Sequence, residues 1–216
     1  VPLASGLAEL FEIAKPDVVV DFTNGEAAKE SILTCINAGV RVVSGSTGLS
    51  PEDLEEIKQL SADKGVGVIS ASNFALGGVV LMHLAGIASK YFDYADLLES
   101  HHEMKVDAPS GTALSIAESM IEGRGKGFEQ NVADLQTLDG TRGGDFQGIN
   151  VHSARMPGRV ARHEVVFGAL GQTLTMIHDS INRESFMPGV MLGVKDVVGR
   201  SELVVGLASV LGLDKP

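Results

Sequence analysis

Three short apolar runs, each followed by a segment with helical patterning, restrict what the first third of this chain can fold into. Val18-Val19-Val20 leads into Asp21-Phe22-Thr23, Val40-Arg41-Val42-Val43-Ser44 into Gly45-Ser46-Thr47-Gly48, and residues 65–69 into Ser72-Asn73-Phe74. The runs are rich in β-branched residues and do not alternate apolar with polar, the pattern of parallel strands covered on both faces. Helices are predicted over residues 6–14, 25–38 and 51–64. The last opens at Ser50-Pro51-Glu52-Asp53, where Ser can cap, Pro suits the first turn and Asp53 stands three residues on. This βαβαβ order predicts a doubly wound sheet that binds ligands beyond the carboxyl ends of its strands. Phe22, Thr23, the loop of Gly45, Ser46, Thr47 and Gly48, and Asn73 with Phe74 should then share one rim.

Beyond Phe74 the pattern changes. A long helix is predicted over 76–92, a strand over 96–100 and a helix over 112–122, followed by an irregular, glycine-rich and charged stretch to 148. Residues 151–155, 162–167 and 172–178 read as strands of antiparallel character, and 186–198 and 202–211 as helices that return to the first sheet. The reading is an α/β chain in two domains. Residues 1–75 and 187–216 form a Rossmann-like parallel sheet domain for a dinucleotide, and 76–186 an α+β domain for substrate and oligomerisation.

Composition narrows the partners. The chain has 216 residues, 44% of them hydrophobic, enough for one large or two small cores. Asp and Glu outnumber Lys and Arg by 28 to 17, a formal charge of -11 that opposes nonspecific binding to nucleic acid or anionic membrane. The apolar run 74–87 is too short for a membrane span. Cys35, the single cysteine, lies among Ile32, Leu33 and Ile36 and reads as core. Val1-Pro2-Leu3 carries no charged leader, which suits a cytoplasmic protein, or one of the plastid stroma after removal of a transit peptide.

The densest chemistry lies between Glu99 and Ala113. His101 and His102 supply groups for proton transfer, but adjacent residues of an extended chain point to opposite faces, so one acts on substrate while the other binds or orients. Lys105 offers a positive charge. Ser110-Gly111-Thr112 opens a helix whose free N–H groups and dipole favour a carboxylate or phosphate, with Ser110 itself equally suited to plain capping. Asp107 and Pro109 shape the turn before it. Five other-wise scattered histidines, His101, His102, His152, His163 and His178, form no His-Glu-x-x-His pattern, so no metal site is expected. There is no Gly-x-Ser-x-Gly elbow for a serine hydrolase either.

The segment His-His-x-x-Lys-x-Asp-Ala-Pro-Ser-Gly-Thr-Ala at 101–113 resembles the substrate motif of the 4-hydroxy-tetrahydrodipicolinate reductase (dihydrodipicolinate reductase) family. Asp21-Phe22-Thr23, Gly45-Ser46-Thr47-Gly48, Ala71-Ser72-Asn73-Phe74, His152 to Gly158, Glu164 to Gly168 and Arg183 to Phe186 follow in family order. The resemblance implies reduction of a cyclic dicarboxylate in lysine and diaminopimelate biosynthesis, with NADPH or NADH as cofactor and a homotetrameric assembly. It implies catalysis by His101 and Lys105, and substrate binding by His102, Ser110, Gly111 and Thr112. Phe22, Thr23, Gly45, Ser46, Thr47, Asn73 and Phe74 fall on the nicotinamide side.

Departures of two kinds qualify the resemblance. Small ones are Gly25 where the family often has Pro, Ser46 within its loop, and Gln172 where Glu is common. The larger is that no strand, Gly-x-x-Gly-x-x-Gly-type loop and helix precede Val1. The sheet domain is therefore expected to be N-terminally incomplete, lacking roughly 30 residues or more. A rival reading follows from it: a non-catalytic metabolite- or dinucleotide-binding descendant with a regulatory or assembly role.

Overall fold

The computed structural model describes residues 3–213; residues 1–2 and 214–216, the outer ends of the expected domain spans, lie outside the described residues. The chain divides into two compact units, one holding the residues up to Phe74 together with those from Phe186 onward, the other Ala75–Ser185.

The first unit begins with α1 (Leu7–Ile13), β1 (Val18–Asp21), α2 (Gly25–Asn37), β2 (Arg41–Ser44), α3 (Pro51–Lys64) and β3 (Val68–Ser70). Local chemistry sets these boundaries. The Asn24 side chain accepts from the Ala27 N–H at the start of α2. Ser50 and Asp53 complete a reciprocal capping box on α3, and Gly65, with φ 64°, ends it. The strands are parallel, with Val19 beside Val42 and Val42 beside Val68. Ile32, Cys35, Ile36, Ile57, Val42 and Val68 make the core between helices and sheet. Burial pushes the Cys35 thiol up to about 11, with the Asp21 charge adding to it, so this cysteine packs rather than reacts.

The second unit contains α4 (Leu76–Ala88), β4 (Tyr94–His101), α5 (Gly111–Arg124), β5 (Gly144–Phe146), β6 (Ile149–Arg155), β7 (Ala161–Ala169) and β8 (Gln172–Ser180). Its five strands lie in the order β5-β6-β4-β7-β8. α4 stops at Ala88, short of the predicted 92, and a 3-10 turn follows over Ser89–Tyr91. β4 runs antiparallel to β7 but parallel to β6, which corrects the all-antiparallel expectation. The chain crosses from β4 to β6 through α5, and such a crossover is what a parallel pair requires. β5 was not foreseen, because its residues, Gly144-Asp145-Phe146, carry no strand periodicity.

Leu97, Ile116, Ala117, Met120, Ile149, Val165 and Phe167 are fully buried between one sheet face and the helices α4 and α5. Each large side chain of that set contributes about 1.5–3 kcal/mol by leaving water. The two helices approach closely: a Cβ on Gly123 would lie 2.0 Å from the Gly86 carbonyl oxygen. Leu98 and Ile177 stand exposed on the opposite sheet face.

The chain then returns to the first unit as α6 (Met187–Val197), β9 (Leu203–Val205) and α7 (Leu207–Val210). β9 pairs in parallel with β3 and completes the order β1-β2-β3-β9. The helix expected over 202–211 is thus a three-residue strand followed by a four-residue helix. Leu203-Val204-Val205 is too short for its period to be read, and Gly206, at φ 84°, separates it from the single turn of α7.

Candidate active site

Alternation along β4 builds the site. Ala95, Leu97, Glu99 and His101 are its buried residues, apolar at first and polar toward the carboxyl end. Pairing sets Ser153 of β6 and His163 of β7 beside Glu99, Arg155 of β6 beside His101, and His178 of β8 beside His163. The hydrophobic core therefore gives way, within one strand, to a patch of ionisable groups.

Glu99 is the hub. Its side chain is fully buried, and it takes a hydrogen bond from Nδ1 of His101 at 2.5 Å and two from the Arg155 guanidinium at 2.9 Å each. The Ser110 N–H, at the start of α5, adds a fourth at 3.2 Å. Burial alone would raise this carboxyl, but the bonds from His101, Arg155 and Ser153 prevail and hold it down to about 2. Arg155 also donates to the Asp107 carbonyl at 2.6 Å, tying the preceding loop to the sheet.

Ser110 caps α5 by accepting from the Ala113 N–H, and its hydroxyl lies 3.2 Å from Nε2 of His163. The His163 ring stands edge-on to that of His101, with centroids 5.3 Å apart. Burial first, and the nearby His101 charge second, lower His163 to about 4, while Glu99 acts in the opposite sense. His163 is a neutral imidazole at physiological pH. Its Nδ1, like Nε of Arg155, is buried without a hydrogen-bond partner among the described residues.

The predicted substrate-side residues fall around this hub in different states. His101 is buried at the end of β4, and His102, just past it, is half-buried. Lys105 pairs with Asp107 at 2.7 Å rather than with Glu99. The bond from Lys105 holds the Asp107 carboxyl below its ordinary range. Ser110 is buried and its hydroxyl is already engaged. Gly111 and Thr112 form the first turn of α5, and a Cβ on Gly111 would meet no protein atom within 4 Å. Open space thus adjoins the helix's free N–H groups.

The predicted cofactor-side residues lie at the carboxyl ends of β1, β2 and β3, in the first unit. Asp21 accepts from the hydroxyls of Thr23, Ser44 and Ser46 at 2.7 Å each and from the Thr23 N–H at 3.2 Å. Burial opposes its charge, but these bonds keep it below the ordinary aspartate range. The side chain of Ser46 is therefore spent on Asp21, while Thr47 is exposed. Gly45 lies under Phe22: a Cβ there would come within 2.2 Å of the ring. Phe22 is half-exposed, 5.8 Å from the Phe74 ring, whereas Phe74 is buried and offers only its backbone. Asn73 is half-buried. Gly25 and Gly48 pack backbone to backbone, and a Cβ on Gly25 would meet the Gly48 carbonyl at 2.4 Å. The rim thus presents glycine backbone, the half-exposed Phe22 ring and exposed Thr47, while the hydroxyls of Thr23, Ser44 and Ser46 are engaged by Asp21.

Sequence reasoning passed over Glu99, Arg155, His163 and Asp21 as functional positions. Glu99 was within reach, because the strand period places it on the face of His101. Arg155 and His163 join only through pairing across the sheet. Among the described residues no three His, Cys, Asp or Glu side chains are grouped to hold a metal ion, and no helix is long and apolar enough to cross a membrane.

The sequence model described as dihydrodipicolinate reductase, N-terminus, matches residues 1–74, and that described as dihydrodipicolinate reductase, C-terminus, matches residues 77–211. The chain is 44% identical over 213 residues to the 4-hydroxy-tetrahydrodipicolinate reductase of Dehalococcoides mccartyi, spanning 99% of this chain and 80% of that protein. It is 45% identical over 210 residues to that of Geobacillus kaustophilus, spanning 97% and 79%. Among solved structures, the dipicolinate-bound dihydrodipicolinate reductase from Paenisporosarcina sp. TG-14 superposes with a TM-score of 0.86 at 38% identity, covering 97% of this chain and 81% of that one. An amine dehydrogenase from Mycobacterium smegmatis, 15% identical with a TM-score of 0.57, shares the fold. The N-terminal match corrects the expectation of a sheet domain deprived of its N-terminal segment. The family's N-terminal domain is represented from residue 1, and its described part folds around a core of its own.

Proposed function

We propose, on the premise that the chain belongs to the dihydrodipicolinate reductase family, that the polar end of β4 and the start of α5 are its catalytic and substrate-binding machinery. The chain is an NAD(P)H-dependent oxidoreductase that reduces 4-hydroxy-tetrahydrodipicolinate to tetrahydrodipicolinate, a step of lysine and diaminopimelate biosynthesis. The observation that carries the residue roles is the hydrogen bond from Nδ1 of His101 to buried Glu99, which leaves Nε2 as the ring position outside the network.

A nicotinamide cofactor held at the rim of Phe22, Gly45 and Asn73 would supply the hydride needed to reduce the substrate ring after loss of water. His101 supplies the balancing proton from Nε2, so hydride and proton together complete the reduction. Lys105 and the first-turn N–H groups at Gly111 and Thr112 hold the two carboxylates, with His102 on the exposed side. An ammonium and a helix N-terminus are complementary to a doubly anionic ring, and open space beside Gly111 admits it. Lys105 is already balanced by Asp107, and exchanging that partner for a substrate carboxylate costs no new charge burial. On the cofactor side, Phe22, Thr23, Gly45, Ser46, Thr47, Asn73 and the Phe74 backbone border the nicotinamide. We assign the uncovered face of the five-stranded sheet, with Leu98 and Ile177, to a homotetramer, and the activity to the cytoplasm.

Turnover is measured as oxidation of NADPH or NADH in the presence of 4-hydroxy-tetrahydrodipicolinate. His101→Gln should lower kcat by about 100-fold or more. Lys105→Ala should chiefly weaken calorimetric binding of pyridine-2,6-dicarboxylate. Full turnover by His101→Gln, or unchanged binding by Lys105→Ala, would remove those roles.

A further inference from the structure

The buried face of β4 could have continued as core beyond Leu97, yet it turns to Glu99 with Arg155 against it. A buried ion pair is a poor source of stability, because desolvation offsets the attraction and apolar replacements often serve as well. Here the cost is increased by an Arg155 Nε that has no partner among the described residues. What the arrangement supplies is geometry. Two parallel guanidinium bonds at 2.9 Å and the Ser110 N–H fix the Glu99 carboxylate in the plane from which it meets His101.

We infer that Glu99 is a positioning residue for His101. Clamped by Arg155, it holds the imidazole with Nδ1 as hydrogen donor, presents Nε2 as the proton-carrying position, and offsets the positive charge of the ring until the proton is given. The Ser110 N–H bond ties the same carboxylate to the start of α5, so the proton donor and the anion-binding turn share one anchor. The inference rests on His101 being the proton donor. The other charged or titratable groups about the ring are Arg155 on β6, His163 on β7 with His178 beyond it on β8, and Lys105 with Asp107 in the loop after β4.

The test compares the parent chain with Glu99→Gln, Glu99→Asp and His101→Gln. Glu99→Gln keeps the shape and removes the charge. Its kcat should fall by about 100-fold while KM for the dicarboxylate substrate stays within about threefold, and the alkaline limb of its kcat profile should move to lower pH. Glu99→Asp should recover part of kcat. If Glu99→Gln does not fold, the double variant Glu99→Gln/Arg155→Gln removes both charges together and carries the same comparison. A measurement independent of turnover is the nitrogen NMR of the His101 ring, which should show a protonated, strongly hydrogen-bonded Nδ1 in the parent and a shifted resonance in the variants.

Unchanged kcat and pH profile in folded Glu99→Gln, or an unprotonated Nδ1 in the parent, would overturn the inference. Loss confined to KM would do the same. Full activity in His101→Gln would instead overturn the underlying role of His101. An inactive His101→Gln beside an unaffected Glu99→Gln would sink the positioning role alone.

Discussion

His163→Gln should flatten the acid-side loss of stability of this protein. The unfolded-state histidine titrates near 6.5 and the buried one near 4. Between those values the unfolded chain binds more protons, so stability rises with pH: the contribution is complete above about 6.5 and is lost as pH falls toward 4. Linkage gives about 2 kcal/mol lost by about pH 5, and roughly 3 kcal/mol once the loss is complete. Glu99 acts in a different window. Its carboxyl is lowered from 4.5 to about 2, so its stabilisation is present above 4.5 and lost as pH falls toward 2. At about pH 5 it accounts for only about 0.2 kcal/mol. His178 is lowered by its own burial and adds in the same sense as His163, but equally in parent and variant. Urea unfolding of both proteins at about pH 7 and about pH 5, followed by circular dichroism, isolates what His163 contributes. The variant should show a pH-dependent loss about 2 kcal/mol smaller than the parent. Equal losses, or a His163 ring that titrates near 6.5 by NMR, would refute the assignment of a buried neutral imidazole.

Other substitutions test each of the two units by itself. Gly25→Ala drives a methyl into the Gly48 backbone and should cost about 1–3 kcal/mol in thermal unfolding, since neither backbone can swing aside. An unchanged midpoint would mean the loop yields freely. Asp21→Asn removes the charge that three hydroxyls and one N–H address, so about 1–3 kcal/mol of stability should go, together with calorimetric affinity for NADPH. Retained affinity would separate this network from the cofactor rim. Gly111→Ala meets no protein atom and should fold as the parent does, yet bind pyridine-2,6-dicarboxylate about tenfold more weakly. Equal affinity would place the ligand away from the first turn of α5.

What the chain determined by itself was local. Continuous apolar runs specified parallel strands at 18–21, 41–44 and 68–70, because burial on both faces leaves no room for polar alternation. Ser50, Pro51, Asp53 and Gly65 set the limits of α3 through bonds a few residues long. The segment from His101 to Thr112 displayed proton-transfer groups, an ammonium and an anion-ready helix start within one short stretch. Tertiary structure decided how these parts were completed. β9 is a strand because the edge of β3 was open to it, and β6 is parallel because α5 carries the chain across. Phe74, an apolar residue at a predicted rim, was drawn into the core beneath α6, where Gly189 and Gly193 make room for it. The Glu99–Arg155 and Ser110–His163 contacts join residues 56 and 53 positions apart. No periodicity reaches that far. Such pairs are chosen by strand register, which the whole sheet settles at once through the burial of its apolar face.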